Sequence, residues 1–289
     1  LFICCHERYL CINKTYNDIV NYYKDNGRHI TKIIYTNSAE YTENDFNTYN
    51  PNIVVFFDID TIRSATNFSY VFKKPVYMAE LDYFYFSNIS TNMYTKMCSG
   101  LITFPNQINI MNSYKRLFPN KSIYSFNGRF VNTQIYKNYK NNKKYDILIY
   151  GTRIFNNHVE THDADLLYKK KWEKHNNKIL PNKYNFYPLR HRLQELLLKN
   201  KDKYNLKILE SCGSLIAKQY VNESLSNLIN ESWITVCSSG RSDILMDKYL
   251  EVATSHSAIL GNIPSDYAYL FKNNIIEVNE WMTDTEILE

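Results

Sequence analysis

Glycine and proline are scarce in this chain, with seven of each among 289 residues. A collagen-like repeat needs glycine at every third position, and most low-complexity chains are rich in both residue types, so neither class fits. Long apolar runs are also missing, because no stretch approaches the roughly 20 residues that a membrane-spanning helix needs. The run Leu1–Cys5 is too short for the core of a signal peptide. We therefore expect a globular protein without a transmembrane segment, and we expect residues to precede the leading leucine.

Cysteine content and net charge narrow the function classes further. The six cysteines form no C-x-x-C pair and no dense framework, which favours free thiols in a reducing compartment and hence the cytoplasm. The 34 Lys and Arg exceed the 29 Asp and Glu by only five charges. An excess this small permits an anionic ligand, but it falls short of the basic surface that nucleic-acid binding needs. We expect no nucleic-acid partner.

Short apolar runs alternate with amphipathic segments along the first half of the chain. The predicted strands there are Leu1–Cys5, Ile30–Tyr35, Ile53–Phe57, Pro75–Met78, Gly100–Phe104 and Ile123–Phe126. Strands that are apolar throughout and separated by helices are typical of a parallel sheet that helices cover on both faces. Residues 1–135 are therefore predicted to form a Rossmann-like domain.

The same pattern restarts after a polar, basic stretch, residues 136–144, which we interpret as a linker. The second set of predicted strands is Tyr145–Tyr150, Leu206–Leu209, Trp233–Cys237, Ala258–Leu260 and Ile275–Val278. Residues 145–289 are thus predicted to form a second Rossmann-like domain, and the fold class is α/β. Two such domains enclose a cleft, and ligands of open α/β sheets bind beyond the carboxyl ends of the strands.

The most informative segment is Trp233–Pro264, which reads WITVCSSGRSDILMDKYLEVATSHSAILGNIP. A predicted strand runs into a turn of small polar residues that contains Ser238 and Ser239. The N–H groups of such a turn, and of the helix after it, can hold a diphosphate. Arg241 and Lys248 supply positive charge nearby.

The helix in this segment is predicted to begin at Ser242 or Asp243, since serine suits an N-cap and aspartate suits a first helical turn. Asp243, Asp247 and Glu251 then share one face, because steps of four residues nearly complete a turn. A carboxylate on that face can accept hydrogen bonds from the two hydroxyls of a ribose. An ordinary amphipathic helix with a polar face explains the same pattern.

The spacing from Asp243 to Glu251, with seven residues between them, is followed by a small-residue turn and a predicted strand. This segment resembles the C-terminal domain of GT-B-fold glycosyltransferases, in particular the group 1 family and its divergent relatives. In divergent relatives the glutamate often follows Lys-Tyr/Phe-x, as it follows Lys248 here. The resemblance is strongest over Tyr145–Glu277, and the N-terminal half matches in architecture alone.

This resemblance implies two Rossmann-like domains facing a cleft, with the donor on the C-terminal domain and the acceptor on the N-terminal one. Glu251 takes the position that binds the ribose of the nucleotide sugar. Asp243 takes the position near the donor sugar, where the family has glutamate. Because aspartate replaces glutamate there, the stereochemical outcome of transfer stays open.

A second candidate turn follows the strand that opens the C-terminal half. The order Gly151, Thr152, Arg153 resembles the turn that opens the second domain of these transferases. Glycine lets the backbone approach a phosphate closely, and Arg153 offers it a planar fork of donors. Strand–glycine turns are common, so a purely structural turn accounts for it too. Arg190 and Arg192 are able to face a phosphate as well, but we interpret them as the solvated side of a helix.

Acidic residues and a histidine follow strands of the first half. Asp58 and Asp60 form the Asp-x-Asp signature of the other large glycosyltransferase fold, GT-A, in which two carboxylates hold Mn²⁺ or Mg²⁺. A GT-A chain would not restart a second parallel domain near Tyr145, so this metal site is kept as the alternative. His6 and Glu80 lie at other strand ends, where a base can deprotonate an acceptor hydroxyl. Polar loop residues that satisfy the backbone would look the same.

These observations together predict a glycosyltransferase that moves a sugar from a nucleotide diphosphate sugar to a hydroxyl acceptor. The acceptor is a glycan, a protein or a small molecule, with a glycan favoured. Amides and cations hold the diphosphate, so we expect no metal and no cofactor besides the donor. The candidate catalytic residues are Asp243, Glu80 and His6. A non-catalytic nucleotide- or sugar-binding protein on the same scaffold is the alternative from a different class.

Overall fold

A computed structural model of the chain describes residues 2–5, 32–35, 42–57, 64–80, 96–103, 108–125, 131–151, 187–209, 223–240, 243 and 245–289. The chain forms two compact units, Leu1–Gly128 and Arg129–Glu289. Each unit contains one sheet, and every pair of neighbouring strands among the described residues is parallel. The predicted α/β class, with two Rossmann-like parallel-sheet units, is therefore confirmed.

The first unit contains a six-stranded sheet. Its strands are β1 (Phe2–Cys5), β2 (Lys32–Tyr35), β3 (Val54–Phe57), β4 (Val76–Glu80), β5 (Gly100–Thr103) and β6 (Ser122–Ser125). They lie side by side in the order β2-β1-β3-β4-β5-β6. The described helices of this unit are α1 (Glu43–Tyr49), a 3₁₀ helix (Ser64–Lys73) and α2 (Ile108–Leu117).

Local sequence signals explain both ends of α1. The Thr42 hydroxyl accepts the Asp45 N–H at 3.3 Å, and the Asp45 carboxylate accepts the Thr42 N–H at 2.9 Å, which forms a capping box. Asn50 ends the helix in the left-handed conformation, with φ of 46°. Phe46 is 1% exposed, and its ring lies 5.3 Å from that of Tyr70. This contact anchors α1 to the 3₁₀ helix.

The second unit contains a five-stranded sheet. Its strands are β7 (Tyr145–Ile149), β8 (Leu206–Ile208), β9 (Ser232–Cys237), β10 (Ala258–Gly261) and β11 (Ile276–Glu277). They lie side by side in the order β11-β10-β9-β7-β8. The described helices are α3 (Pro188–Lys199), α4 (Glu223–Asn230), α5 (Asp247–Thr254), a 3₁₀ turn (Ser265–Tyr267), α6 (Ala268–Phe271) and α7 (Asp284–Leu288).

Helix α3 supplies much of the core of the second unit. Leu189, Leu193 and Leu197 recur every four residues and so lie on one face of the helix. They cluster with Ile147 of β7 and Val236 of β9, and none of the five is more than 5% exposed. Burial of one such side chain contributes about 1.5–3 kcal/mol. The cluster therefore holds α3, including its first turn, firmly against the sheet.

The strand order places a crevice at the carboxyl ends of β7 and β9. The chain leaves β7 for β8 on one side, whereas the next strand, β9, lies on the other side of β7. Connections that leave adjacent strands in opposite directions open a gap in which ligands of open α/β sheets bind. Tyr150 and Gly151 follow β7 at this point, and Ser238 and Ser239 follow β9.

The segment predicted as a linker packs against the second sheet. Asn230, at the end of α4, accepts the Tyr139 N–H at 2.9 Å and donates to the Lys137 carbonyl at 2.8 Å. The Lys144 N–H donates to the Glu231 carbonyl at 2.7 Å, immediately before β9. These bonds make the segment part of the second unit, and the division between the units falls after residue 128.

The predicted strands all recur with small shifts at their ends, because each is a short and mostly apolar run. The helix predicted at residue 243 begins later, at Asp247, and the 3₁₀ helix of the first unit and α7 had not been predicted. The sequence also predicts helices at residues 16–24, where apolar residues recur at helical spacing, and around residues 163–174; both segments lie outside the described residues. No helix in the described parts of the chain is long and apolar enough to cross a membrane.

Candidate functional site

Gly151 lies in the crevice directly after β7. Its φ of +91° falls in the left-handed region that favours glycine. A Cβ atom built on Gly151 would lie 3.0 Å from Nη1 of Arg190 and 3.0 Å from Nζ of Lys248. Two positive groups therefore converge on a stretch of backbone that carries no side chain. In this arrangement a backbone and two cations can approach the same oxyanion.

Lys248 lies in the first half of α5 and is 7% exposed. Its ammonium donates to the carbonyl oxygen of Tyr150 and lies 3.7 Å from the centroid of the Tyr150 ring. Burial, together with the charge of Arg190, holds the pKa of Lys248 well below its usual value. A cation destabilised in this way is stabilised by a bound anion, because a nearby negative charge favours the protonated form.

Arg190 lies in the first turn of α3 and is 4% exposed. Its guanidinium lies over the ring of Tyr187, 4.0 Å from the centroid. The interpretation of Arg190 as a solvated residue was wrong, because the apolar face of α3 presses the first turn against the sheet. Arg192 does reach the surface, where it donates to the Glu280 carbonyl at 2.9 Å and to Oδ1 of Asp284 at 2.7 Å.

A signal in the sequence was available for Arg190. Pro188 marks the first turn of a helix, since proline is favoured there. A helix that follows a strand in a parallel α/β unit begins at the carboxyl edge of the sheet, where ligands bind. A basic residue two positions after such a proline is therefore a candidate for the ligand site.

The turn after β9 is almost wholly buried, and Ser238 and Ser239 are 1% and 0% exposed. The Ser238 hydroxyl is buried and forms no hydrogen bond to the described part of the chain. A buried hydroxyl without a partner costs about 1–3 kcal/mol, which a polar ligand can offset. Ser239 is held by Asn262, whose Oδ1 accepts the Ser239 N–H at 3.1 Å and whose amide donates to its hydroxyl. Oδ1 of Asp243 accepts from that hydroxyl at 3.5 Å.

Glu251 lies about one turn after Lys248 on α5 and is half-buried. Its Oε2 accepts the Tyr150 hydroxyl at 2.9 Å, and the Tyr136 hydroxyl also hydrogen bonds to the carboxylate. Burial and the charge of Asp247 raise the pKa of Glu251 to about 7, although the two tyrosine hydroxyls act to lower it. When ionised, this carboxylate is a hydrogen-bond acceptor for ligand hydroxyls.

Helix α5 begins at Asp247, so the prediction that Asp243 lies on the helix with Glu251 was wrong. Asp243 has a left-handed backbone, with φ of 54°, in the turn before the helix. The Leu245 N–H donates to the carboxylate of Asp266 at 3.2 Å, and this contact holds the chain outside the helix. Asp247 and Glu251 still lie four residues apart on one face of α5.

The other predicted site residues are described in part or not at all. Thr152, Arg153, Arg241, His6, Asp58 and Asp60 lie outside the described residues. Glu80 is the last residue of β4, and its backbone alone is described. Across the ranges that the structure describes, no three His, Cys, Asp or Glu side chains gather as a metal-ligand set. The roles assigned to these residues stay predictions.

No protein-family model and no curated protein sequence matches the chain. Among solved structures, it is similar to UGT73P12 of Glycyrrhiza uralensis complexed with glycyrrhetinic acid 3-O-monoglucuronide, with 10% identity and a TM-score of 0.35, over 96% of this chain and 74% of that one. The GtfA/B complex matches with 12% identity and a TM-score of 0.34, over 82% of this chain and 48% of that one. MurG of Acinetobacter baumannii matches with 12% identity and a TM-score of 0.33, over 99% of this chain and 88% of that one. These neighbours are GT-B glycosyltransferases, and at such TM-scores the function of this chain rests on its own residues.

Proposed function

We propose that the chain is a glycosyltransferase that moves a sugar from a nucleotide diphosphate sugar to a hydroxyl acceptor. One observation carries this proposal. Two buried cations, Arg190 and Lys248, converge on Gly151 at the switch point of the second sheet, and the Glu251 carboxyl lies about one turn further along α5. A nucleoside diphosphate carries the complementary groups, which are anionic phosphates next to a ribose diol.

The diphosphate is assigned to a group that we name the anion cluster, made of Arg190, Lys248, the backbone at Gly151 and the Ser238 hydroxyl. Glu251 accepts hydrogen bonds from the ribose hydroxyls. The burial of both cations supports this assignment, because charge interactions are stronger where water is excluded. The contacts of Thr152, Arg153, Ser239 and Arg241 with the diphosphate stay predictions.

Transfer forms a bond between the acceptor oxygen and the anomeric carbon of the sugar. The bond between that carbon and the β-phosphate oxygen breaks, and the acceptor proton passes to a base. Arg190 and Lys248 stabilise the charge that develops on the departing diphosphate, so the chain supplies this stabilisation from its own side chains. Asp243, Glu80 and His6 remain the candidates for groups that act on the donor sugar or the acceptor hydroxyl.

Thermal melting of the whole chain with nucleoside diphosphates and with inorganic pyrophosphate tests the anion cluster. A ligand that binds the folded state alone raises the Tm. We expect Arg190→Met to abolish the shift that these anions cause in the wild type. Arg192→Met is the matched control, since it removes the same charge from the same helix at the surface, and it should keep the shift. Equal losses in the two variants would remove the proposed site.

Turnover separates the enzyme from the alternative of a non-catalytic nucleotide- or sugar-binding protein. The chain is mixed with UDP-, GDP- and TDP-sugars and a panel of hydroxyl acceptors, with glycans first, and the release of nucleoside diphosphate is measured. Release that depends on the acceptor supports transfer. Binding without turnover for every donor and acceptor would favour the binding protein. Glu251→Ala should lose both nucleotide binding and turnover.

A metal-dependent GT-A enzyme that uses Asp58 and Asp60 is the second alternative, and it differs in its response to chelators. We expect turnover to survive both EDTA and the substitution Asp60→Ala. Loss of turnover under both conditions would favour the GT-A reading, because two carboxylates at that motif would then hold an essential cation.

We also propose that the reaction takes place in the cytoplasm. Cys237 is a buried free thiol, which fits a reducing compartment. Burial raises the pKa of the Cys98 thiol and of the Cys237 thiol to about 12, so neither is a reactive thiolate near neutral pH. Fractionation of cells that express the natural protein would test this location.

A further inference from the structure

The Tyr150 side chain contacts both halves of the candidate site. Its ring lies 3.7 Å from the ammonium of Lys248, which belongs to the anion cluster. Its hydroxyl donates to Oε2 of Glu251 at 2.9 Å. Lys248 and Glu251 are three residues apart on α5, so one side chain is in contact with two neighbouring turns of the helix.

Tyr150 is held rigidly in this position. It is 7% exposed, and its backbone carbonyl accepts a hydrogen bond from Lys248, so both ends of the residue are fixed. Burial and the charge of Glu251 raise the pKa of the Tyr150 hydroxyl well above its usual value. The hydroxyl therefore stays protonated near neutral pH and acts as a donor to the carboxylate.

Within the described part of the chain, the hydrogen bonds to the Glu251 carboxylate leave acceptor positions for two more donors. A carboxylate has about four acceptor positions on its two oxygens. Tyr150 and Tyr136 hydroxyls take up two of them. The two that remain match in number the two hydroxyls of a ribose.

We propose that Tyr150 is the positioning residue that sets the spacing between the ribose subsite at Glu251 and the phosphate subsite at Lys248. The site then selects ligands in which a diol and a diphosphate are joined, as they are in a nucleoside diphosphate. This inference rests on the proposed function. Tyr150 acts through Glu251 by its hydroxyl and through Lys248 by its ring, so the two contacts can be removed separately.

Two variants of the whole chain make that separation. Tyr150→Phe removes the hydroxyl and keeps the ring, whereas Tyr150→Leu removes both. Tyr139→Phe is the matched control, because the Tyr139 hydroxyl donates to the Ile135 carbonyl at 2.7 Å. Calorimetry measures binding of three probes: the nucleoside diphosphate that the wild type binds among UDP, GDP and TDP, its nucleoside, and inorganic pyrophosphate.

We expect Tyr150→Phe to weaken the binding of the nucleoside and of the nucleoside diphosphate about tenfold, which is the effect of one hydrogen bond to a charged group. The affinity for pyrophosphate should stay unchanged. Tyr150→Leu should weaken all three probes. Loss of the Tyr150 hydroxyl should also raise the pKa of Glu251 above about 7, because the carboxylate loses a hydrogen-bond donor. The other groups that face this carboxylate, Asp247, Lys248 and Tyr136, are unchanged in the variant. The pH midpoint of nucleoside binding should therefore move upward in Tyr150→Phe.

A double variant tests whether Tyr150 acts through Glu251. In the Glu251→Gln background, Tyr150→Phe should cause no further loss of nucleoside affinity, because the partner of its hydroxyl has changed. Three results would overturn the inference: an equal loss of pyrophosphate binding in Tyr150→Phe, an unchanged nucleoside affinity and pH midpoint, or a Tyr150→Phe chain that does not fold. In each case the proposed function stands if the wild type binds the nucleotide. If the wild type binds none of the three probes, both proposals fail.

Discussion

Replacing Lys248 by methionine should separate binding from stability. Methionine keeps an apolar stem and removes the ammonium that contacts Tyr150. In the free protein this ammonium is unfavourable, because burial and the charge of Arg190 hold its pKa well below the usual value. When a diphosphate is bound, the same ammonium faces a compensating charge. The substitution should therefore weaken diphosphate binding far more than it changes the stability of the free protein.

The loss of pyrophosphate binding should be larger than the change in the free energy of unfolding. A lost charge-assisted hydrogen bond to phosphate corresponds to about 2–3 kcal/mol, so the Kd for pyrophosphate should rise about 30- to 150-fold. The folded protein loses the bond to the Tyr150 carbonyl, about 1 kcal/mol, and the cation–π contact, about 1–2 kcal/mol. It is also relieved of a desolvated charge, and apolar replacements of buried ions are often neutral or stabilising. We expect the free energy of unfolding to stay within about 1 kcal/mol of the wild type.

The stability of the wild type and that of Lys248→Met should depend differently on pH. The pKa of Lys248 is lower in the folded chain than in the unfolded chain, so the unfolded chain binds this proton more readily. The wild type therefore loses stability as the pH falls from the ordinary lysine pKa through the lowered pKa of the folded chain. Lys248→Met lacks this loss. Its stability relative to the wild type should therefore rise as the pH is lowered through that range.

Urea denaturation gives the free energy of unfolding, and calorimetry with pyrophosphate gives the Kd. Lys199→Met, which removes an exposed charge from the last turn of α3, is the control for net charge. The reasoning is refuted if Lys248→Met binds pyrophosphate as the wild type does. It is refuted equally by a loss of stability as large as the loss of binding, since Lys248 would then be a structural residue.

Three further substitutions have expected outcomes. Gly151→Ala should weaken pyrophosphate binding in calorimetry, because its Cβ would lie 3.0 Å from Nζ of Lys248 at a φ that disfavours alanine, and an unchanged Kd would contradict this. Between pH 4.5 and about 7 the Glu251 carboxyl keeps its proton in the folded chain and loses it in the unfolded chain, so the free energy of unfolding of the wild type should fall as the pH rises. Glu251→Gln should remove this fall. Urea melts across this range check it, and a variant that keeps the wild-type slope would count against the burial of that carboxyl. Gly261→Ala should destabilise the fold by about 3 kcal/mol, since its Cβ would lie 1.8 Å from the Cys237 carbonyl oxygen, and a calorimetric Tm equal to that of the wild type would exclude the clash.

The strands were predictable because each is a local feature of the sequence. The run from Trp233 to Cys237 is apolar except for Thr235 and is followed by small polar residues, and it forms β9 at the centre of the second sheet. The order of the strands was not contained in these runs, since it depends on pairing between distant segments. The switch point between β7 and β9 is therefore a result of the structure.

Contacts between distant residues explain what the sequence left undetermined at the site. The start of α5 depends on the bond from Leu245 to Asp266, 21 residues further along the chain. The link from Tyr150 to Glu251 spans 101 residues. Pro188 marks the start of α3 but gives no sign that Arg190 is buried, because the exposure of Arg190 depends on how α3 lies on the sheet.

A crystal structure of the chain with a bound nucleoside diphosphate tests the central claim most directly. The phosphates should lie within hydrogen-bonding distance of Nζ of Lys248 and the guanidinium of Arg190, with the ribose hydroxyls at the carboxylate of Glu251. A nucleotide bound elsewhere on the chain, or one whose phosphates face neither cation, would contradict the proposed site.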